Sequence, residues 1–553
     1  MDRCPAGDAS RRDDLHLLGL LSRCLPAQRR AAHRSPAAQP AGGGSAGELR
    51  RRPGRARLAE GERPRTHLGG IARHRDGLAT RSLRRVPAAC AARALRARAL
   101  RRPRLARGTR SPYGPAVAAS SFDVIVIGAG AAGLAAAAEL VAAGRSVLLL
   151  EARDRVGGRV WTRREPDLPA PIELGAEFIH GHAPITRALL ARSGSSSIDC
   201  SDLHLSLQQG ELRPRDGFFV HILQAMQGSE LLAREDMSFD DFLDRLPLSA
   251  EERQFARRMA EGFDAADTAR ASARALRTEW TGDILGDTPQ SRPRDGYERL
   301  LAALAAGLPR ERLQLRSPVQ SVRWSKGSVQ VAGECLGAPF EAHGARAIVT
   351  LPLGVLQQTS PTLGAVRFTP ELEAKQAALQ RLASGPVVKV LLRFASCFWE
   401  DVHGGRYREV SFLHLPDAEV PTFWTQAPAH VPLLVAWAGG ARARHLASKA
   451  TPADIVRAAT ASLQPLFGKG LEVARQLEGH HYHDWQQDPY AYGAYSYVTV
   501  GGDDARETLA RPLDATLHFA GEATDTAGEA GTVEGALRSG IRAAREVLAA
   551  APA

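Results

Sequence analysis

The chain has 553 residues and a formal net charge of +12. That length is too great for one compact core and calls for two or more domains. Its six cysteines form no C-x-x-C pair and no run of 18 apolar residues occurs, which argues against a disulfide framework, a cysteine-type zinc site and a membrane-spanning helix.

The charge is unevenly placed. Residues 1–120 hold 27 arginines, no lysine and 8 acids, a local charge of +19, whereas the other 433 residues hold 45 basic and 52 acidic groups, a charge of −7. Residues 1–118 are rich in Arg, Ala, Pro and Gly without sustained apolar periodicity, so a disordered tail is expected. Arginine without lysine fits translation of GC-rich sequence upstream of the folded part; a nucleic-acid-binding or organelle-targeting arm is the other reading. Ser10-Arg11-Arg12 is similar to the opening of a twin-arginine export signal. Asp13 and Asp14 follow it, however, and Ser22, Arg23 and Cys24 interrupt the apolar stretch Leu15–Leu25. A cytoplasmic location is therefore expected, with any nucleic-acid contact confined to the tail.

After the tail, Phe122–Ile127 is a short β-branched run that reads as a buried parallel strand. Gly128, Gly130 and Gly133 follow in G-x-G-x-x-G spacing. The first permits a tight turn, the second lets backbone approach a pyrophosphate, and the third lets a helix pack on the strand. The alanine-rich helix is expected over Ala131–Ala143, with Ala132 in its first turn, and Gly144 stops it. Its N-terminal N–H groups and partial positive charge attract phosphate. A second strand, Ser146–Leu150, ends on Glu151, 18 residues after Gly133, near the spacing of an acid that binds a ribose 2′-hydroxyl. Arg153 and the group Gly157-Gly158-Arg159 come next. A simple NAD site does not need that second glycine pair with two arginines. An extended flavin dinucleotide, FAD, can use both, with Arg159 near its pyrophosphate.

Residues 186–290 are polar and helical in pattern, as in Ser238–Leu246 and Ala250–Phe263, and another helix opens after Arg294. Strand signals follow at Pro318–Trp324, Ser328–Ala332 and Ala347–Leu351, then at Val387–Phe394 and Leu433–Ala438.

Lys389 lies in the run Pro386-Val-Val-Lys-Val-Leu-Leu-Arg-Phe394. Isolated burial of that ammonium would cost several kcal/mol, so Lys389 is either paired or on a solvent-facing edge. Four tyrosines occupy residues 490–497, after Trp485 and Asp488-Pro489; core packing and a ligand wall are both open there. A last motif, Gly521-Glu522 followed by Gly531-Thr532-Val533-Glu534-Gly535, sets a strand end before a new helix.

In their order, these motifs resemble the flavin-containing amine oxidases, a group that includes monoamine oxidases, polyamine oxidases and flavin-type histone lysine demethylases. The resemblance spans about residues 121–550. It implies an α/β fold: a discontinuous Rossmann-like FAD-binding domain from residues 119–185, 291–353 and 479–553, and an α+β substrate-binding domain from 186–290 and 354–478. It implies an FAD-dependent oxidase that takes a small-molecule amine and O2 and releases hydrogen peroxide. Lys389 would hold a water near the flavin and assist reoxidation. Tyr495, in the match to W-x-x-D-P-x-x-x-G-x-Y-S, would wall the substrate channel, where its face attracts a cation. His180, in Gly175-Ala176-Glu177-Phe178-Ile-His180-Gly181, would lie near the substrate or serve structure alone. Glu177 and Phe178 would line the flavin through backbone contacts, the Val319 backbone would bind adenine, and Trp485, Gly521 and Glu522 would meet the cofactor. The helix at Thr532 and Val533 would face the flavin carbonyls, where a helix N-terminus stabilises gathered negative charge. Monoamine oxidases carry a flavin-linked cysteine where this chain has Ala494 and a second tyrosine where it has Thr532, so FAD is expected to bind noncovalently, in a site nearer the polyamine oxidases. The long helical insertion and additional helical domain of the demethylases have no counterpart in the motifs. An L-amino acid oxidase, or a flavoprotein acting on carotenoids or porphyrinogens, remains a rival. The sequence carries no signal for an oligomeric state.

Overall fold

The computed structural model describes residues 121–208, 210–214, 218–282, 288–449 and 451–550. The expectations for the arginine-rich tail lie outside those residues.

An eight-stranded sheet forms the first layer. At its centre Ser121–Ile127 pairs in parallel with Val147–Leu150 on one side and Ala338–Val349 on the other. Leu517–Phe519 adds to the last of these, also in parallel. Val319–Ser325 and Ser328–Cys335 extend the sheet as an antiparallel hairpin. The central strand is apolar throughout because both of its faces are covered. Val124 and Val126 pack with the helices, whereas Ile125 and Ile127 pack with Val322, Val331 and Phe519 on the other face. This is the Rossmann-like layer, built from three separated stretches of chain.

The helix Ala131–Ala142 follows the glycine turn and lies against the C-terminal helix Val533–Ala549. Small residues make this possible. A Cβ on Gly133 would sit 1.9 Å from the Gly128 carbonyl oxygen, and one on Gly540 would sit 2.1 Å from that of Ala132. Gly144, at φ +75°, ends the first helix.

A seven-stranded sheet forms the second layer, in the order Leu477–Tyr482, Val387–Phe394, Leu433–Gly439, Thr422–Trp424, Phe412–His414, His204–Gln208, Glu211–Pro214. The strand bearing Lys389 is interior, paired on both sides, so the solvent-edge reading of that lysine fails. The helix Ala250–Phe263, closed at its start by a Ser249–Glu252 capping box, packs on this sheet.

The structure departs from the sequence pattern in several places, among them Ser197–Asp199, a strand inside the stretch read as helical. His204–Gln208 and Glu211–Pro214, within the stretch read as helical, pair as antiparallel strands instead. Leu205 and Leu207 alternate with polar neighbours there and pack into the core of the second layer, while His204, Ser206 and Gln208 line the cavity described below. The strand read as Ala347–Leu351 runs from Ala338 to Val349, because its polar first half pairs with Ser328–Cys335 rather than with the buried centre. Two short strands also bear on the division into domains: Arg367–Thr369 joins the first sheet, and Leu477–Tyr482 belongs to the second.

Candidate functional site

A cavity of about 790 Å³ is lined by residues of both sheets. One end is built by the glycine turn. Gly128 takes φ +104°, which a side chain would strain, and the helix after Gly130 has no side-chain cap and no acid in its first turn. Its first N–H groups, at Ala131 and Ala132, therefore line the cavity free to meet an anion. Gly133 does not line it; that residue serves the packing of helix on strand. Glu151 closes the second strand, is buried, and accepts N–H from Ala129 at 2.8 Å and Arg153 at 2.9 Å. Burial raises its carboxyl above the ordinary value. Arg153 reaches Asp488 at 2.7 Å, so the segment after Trp485 is tied to the glycine turn. Val319 and Gly158 line the same end, and the Trp485 indole donates to the Leu174 carbonyl at 3.0 Å.

Midway, Glu522 is a hub. Its carboxylate accepts from Arg159 at 2.9 Å, the Ser496 hydroxyl at 2.7 Å and the Gly531 N–H at 3.2 Å. Burial works against its charge, but Arg159 and Arg506 outweigh that and hold the carboxyl below its usual value. One side chain thus joins Arg159, the residue after Tyr495 and the turn before the C-terminal helix. Arg159 also donates to the Ala494 carbonyl. Thr532 caps the C-terminal helix by accepting from the Gly535 N–H at 3.0 Å, and Thr532, Val533 and Gly521 all line the cavity. At Gly521 the space a Cβ would take is open.

The far end is aromatic. Phe178 lies 5.4 Å from Trp424 and 5.6 Å from Phe412, ring centre to ring centre. His180 meets Phe263 edge-on at 5.3 Å, and burial lowers its pKa to about 4. The Tyr495 hydroxyl donates to the Phe263 carbonyl at 2.6 Å, and burial, with Asp264 and Glu522 nearby, pushes its pKa up. Asp264 and Glu279 also line the cavity, and burial raises both.

Lys389 is buried and reaches this cavity from the second sheet. Its ammonium donates to Glu177 Oε2 at 2.8 Å and to the Gly175 carbonyl at 2.9 Å. Glu177 is expected from the resemblance to line the flavin, with Phe178, through backbone contacts; its side chain proves to be the lysine's partner. Trp424, Arg292 and Gln426 around that carboxylate were not legible, because they come from segments 115 to 249 residues away.

These groups fit a flavin dinucleotide. An uncapped helix N-terminus, a glycine cradle, a buried acid at the second strand end and a second helix start all open on one elongated cavity.

A family profile described as flavin containing amine oxidoreductase matches residues 131–548. Polyamine oxidase 3 of Oryza sativa subsp. japonica is 30% identical over 477 residues, covering 79% of this chain and 91% of that protein. Lysine-specific histone demethylase 2 of Homo sapiens is 30% identical over 463 residues, 77% of this chain and 53% of that one. Lysine-specific histone demethylase 1 homolog 3 of Arabidopsis thaliana is 31% identical, over 77% of this chain and 30% of that one. The chain thus spans about half or less of these two demethylases. Among solved structures, putrescine oxidase bound to putrescine superposes with a TM-score of 0.67 at 21% identity, covering 78% of this chain and all of that one. Cyclohexylamine oxidase from Brevibacterium oxydans IH-35A does so with a TM-score of 0.65 at 23% identity, over 77% and 98% of the two chains. At such identities these two show a shared fold.

Proposed function

This chain belongs to the flavin-containing amine oxidoreductases, with FAD as its cofactor, and from that premise we propose that it oxidises an amine to an imine in the manner of a polyamine oxidase. Oxygen is the final electron acceptor and hydrogen peroxide the co-product; water then hydrolyses the imine. The observation that carries this reading is the convergence of Lys389, Tyr495 and the start of the C-terminal helix on one aromatic-walled cavity.

Bound FAD supplies the two-electron acceptor. The protein's own groups bind, orient and exclude water. The rings of Phe178, Trp424, Phe263 and Tyr495 favour an amine that has shed its proton, since burial disfavours the charged form. His180, with a pKa of about 4, is neutral and too weak a base to remove a proton at pH 7, so it orients the nitrogen by accepting a hydrogen bond. The Tyr495 phenol stays protonated and its hydroxyl is spent on Phe263, so the ring serves as a wall. Lys389, ion-paired with Glu177, would hold a water near the flavin and assist its reoxidation.

A carboxylated amine is the second reading. Arg258 and Arg442 line the same cavity, and burial lowers the Arg258 pKa, so a substrate carboxylate there would relieve a desolvated cation. A panel of spermine, spermidine, putrescine, aryl-alkylamines and amino acids, read by peroxide release, decides between the two. The purified protein is expected to be yellow and to turn over polyamines fastest. A colourless, FAD-free protein sinks the whole reading; preference for amino acids moves it to the second.

A further inference from the structure

Lys389 and Arg292 are both buried, and Glu177 is the carboxylate that stands near both. Lys389 Nζ lies 2.8 Å from Oε2, and Arg292 Nε lies 3.7 Å from Oε1. Oε1 also accepts the Trp424 indole N–H at 3.0 Å and the Gln426 amide at 3.4 Å. Burial disfavours the Glu177 anion, yet the two cations hold its carboxyl below the ordinary value. Both carboxylate oxygens are thereby fixed in direction.

The consequence falls on the lysine. An ammonium has three N–H donors. Glu177 takes one and the Gly175 carbonyl takes a second, at 2.9 Å. The ammonium sits at the end of a flexible four-carbon stem, so these two bonds set its direction. The third N–H is the one left for the cavity that Lys389 lines.

We propose that Glu177 is the positioning residue for Lys389, aiming the remaining N–H of the ammonium into the cavity and so setting the rate at which oxygen is reduced there. This rests on the role given above to Lys389 in oxygen-dependent reoxidation. The two Glu177 oxygens are engaged by Lys389, Trp424 and Gln426, so it acts through the lysine. Arg292, held by the Thr425 and Ala427 carbonyls at 3.3 Å, is the fixed post against which the carboxylate is set.

A double-mutant cycle tests the proposal in the full chain, with Glu177→Gln, Glu177→Asp, Lys389→Met and the pair Glu177→Gln/Lys389→Met. With FAD bound, Glu177→Gln is expected to slow reoxidation by about tenfold while the anaerobic reductive rate stays within about threefold. Glu177→Asp, which keeps the charge, recovers most of the loss. In the Lys389→Met background, Glu177→Gln changes reoxidation by less than about twofold. In flavin-free protein, Glu177→Gln lowers the melting temperature more than the double substitution does, because the second change removes a cation that the first left unpaired. If Glu177→Gln alone does not fold, Glu177→Asp carries the same comparison in both lysine backgrounds. Equal slowing with and without the lysine, or a parallel fall of the reductive and oxidative rates, overturns the proposal. Unchanged reoxidation in Lys389→Met alone removes the lysine's chemical role and the proposal with it. Non-additive melting temperatures would then locate the failure in the chemistry and not in the ion pair.

Discussion

His180 is neutral because of what surrounds it. Its ring faces Phe178 and Phe263, and burial brings its pKa to about 4, against an unfolded value of about 6.5. Between those values the unfolded chain binds more protons than the folded one. The folded state therefore keeps its full stability above about pH 6.5 and loses this contribution as pH falls toward 4. His180→Asn removes the titrating group, so the acid side of the stability curve should be shallower for the variant. Urea unfolding at pH 7, 5.5 and 4.5 reads this directly, and parallel curves for the two proteins would refute it. The same neutrality predicts that kcat/KM for a fixed amine shows no inflection from this imidazole between pH 6 and 8. The residue was visible in the sequence as a histidine after a glycine-containing turn, but its protonation state was not. That state depends on Phe263, 83 residues on, whose ring reaches it from the end of another helix.

At the level of elements, the close contact between the two helices that cover the glycine turn does the positioning. Gly540 leaves its Cβ space to the Ala132 carbonyl, at 2.1 Å, and both atoms belong to helix backbone that cannot rotate away. Gly540→Ala must therefore shift one helix, at a cost of about 1–3 kcal/mol for overpacking. Because Ala132 and Val533 both line the cavity, FAD retention should fall together with the melting temperature. A variant with normal FAD content and a lowered melting temperature would show that the contact serves stability alone. The sequence announced these two helices, the central strand and the strand bearing Lys389, since each is written in one short run of residues. It could not announce the Glu177 cluster, because a carboxylate, an arginine and an indole from three segments carry no mutual spacing. The paired strands His204–Gln208 and Glu211–Pro214 were within reach: the Leu205–Leu207 alternation and Gly210 were present, but the helical pattern that follows dominated the window.

On the scale of the whole molecule, two sheets share one cavity, and their segments interleave along the chain. The expectation of interleaved segments came from the family resemblance; periodicity alone would have returned a list of strands. Without residues 1–115 the charge of the chain changes from +12 to −7, since that segment holds all 27 of the tail's arginines and its 8 acids. Among the described residues, the lining of the cavity begins at Ile127. Deleting residues 1–115 is therefore expected to leave FAD content, kcat and KM unchanged while moving the protein from cation-exchange to anion-exchange retention. Binding of duplex DNA by the full chain, if it arises from the arginines, should fall steeply between low and physiological salt and disappear on truncation. Lost peroxide production in the truncated protein would tie the segment to the enzyme. Salt-sensitive DNA binding that survives truncation would place it instead on the acidic remainder, against the electrostatics.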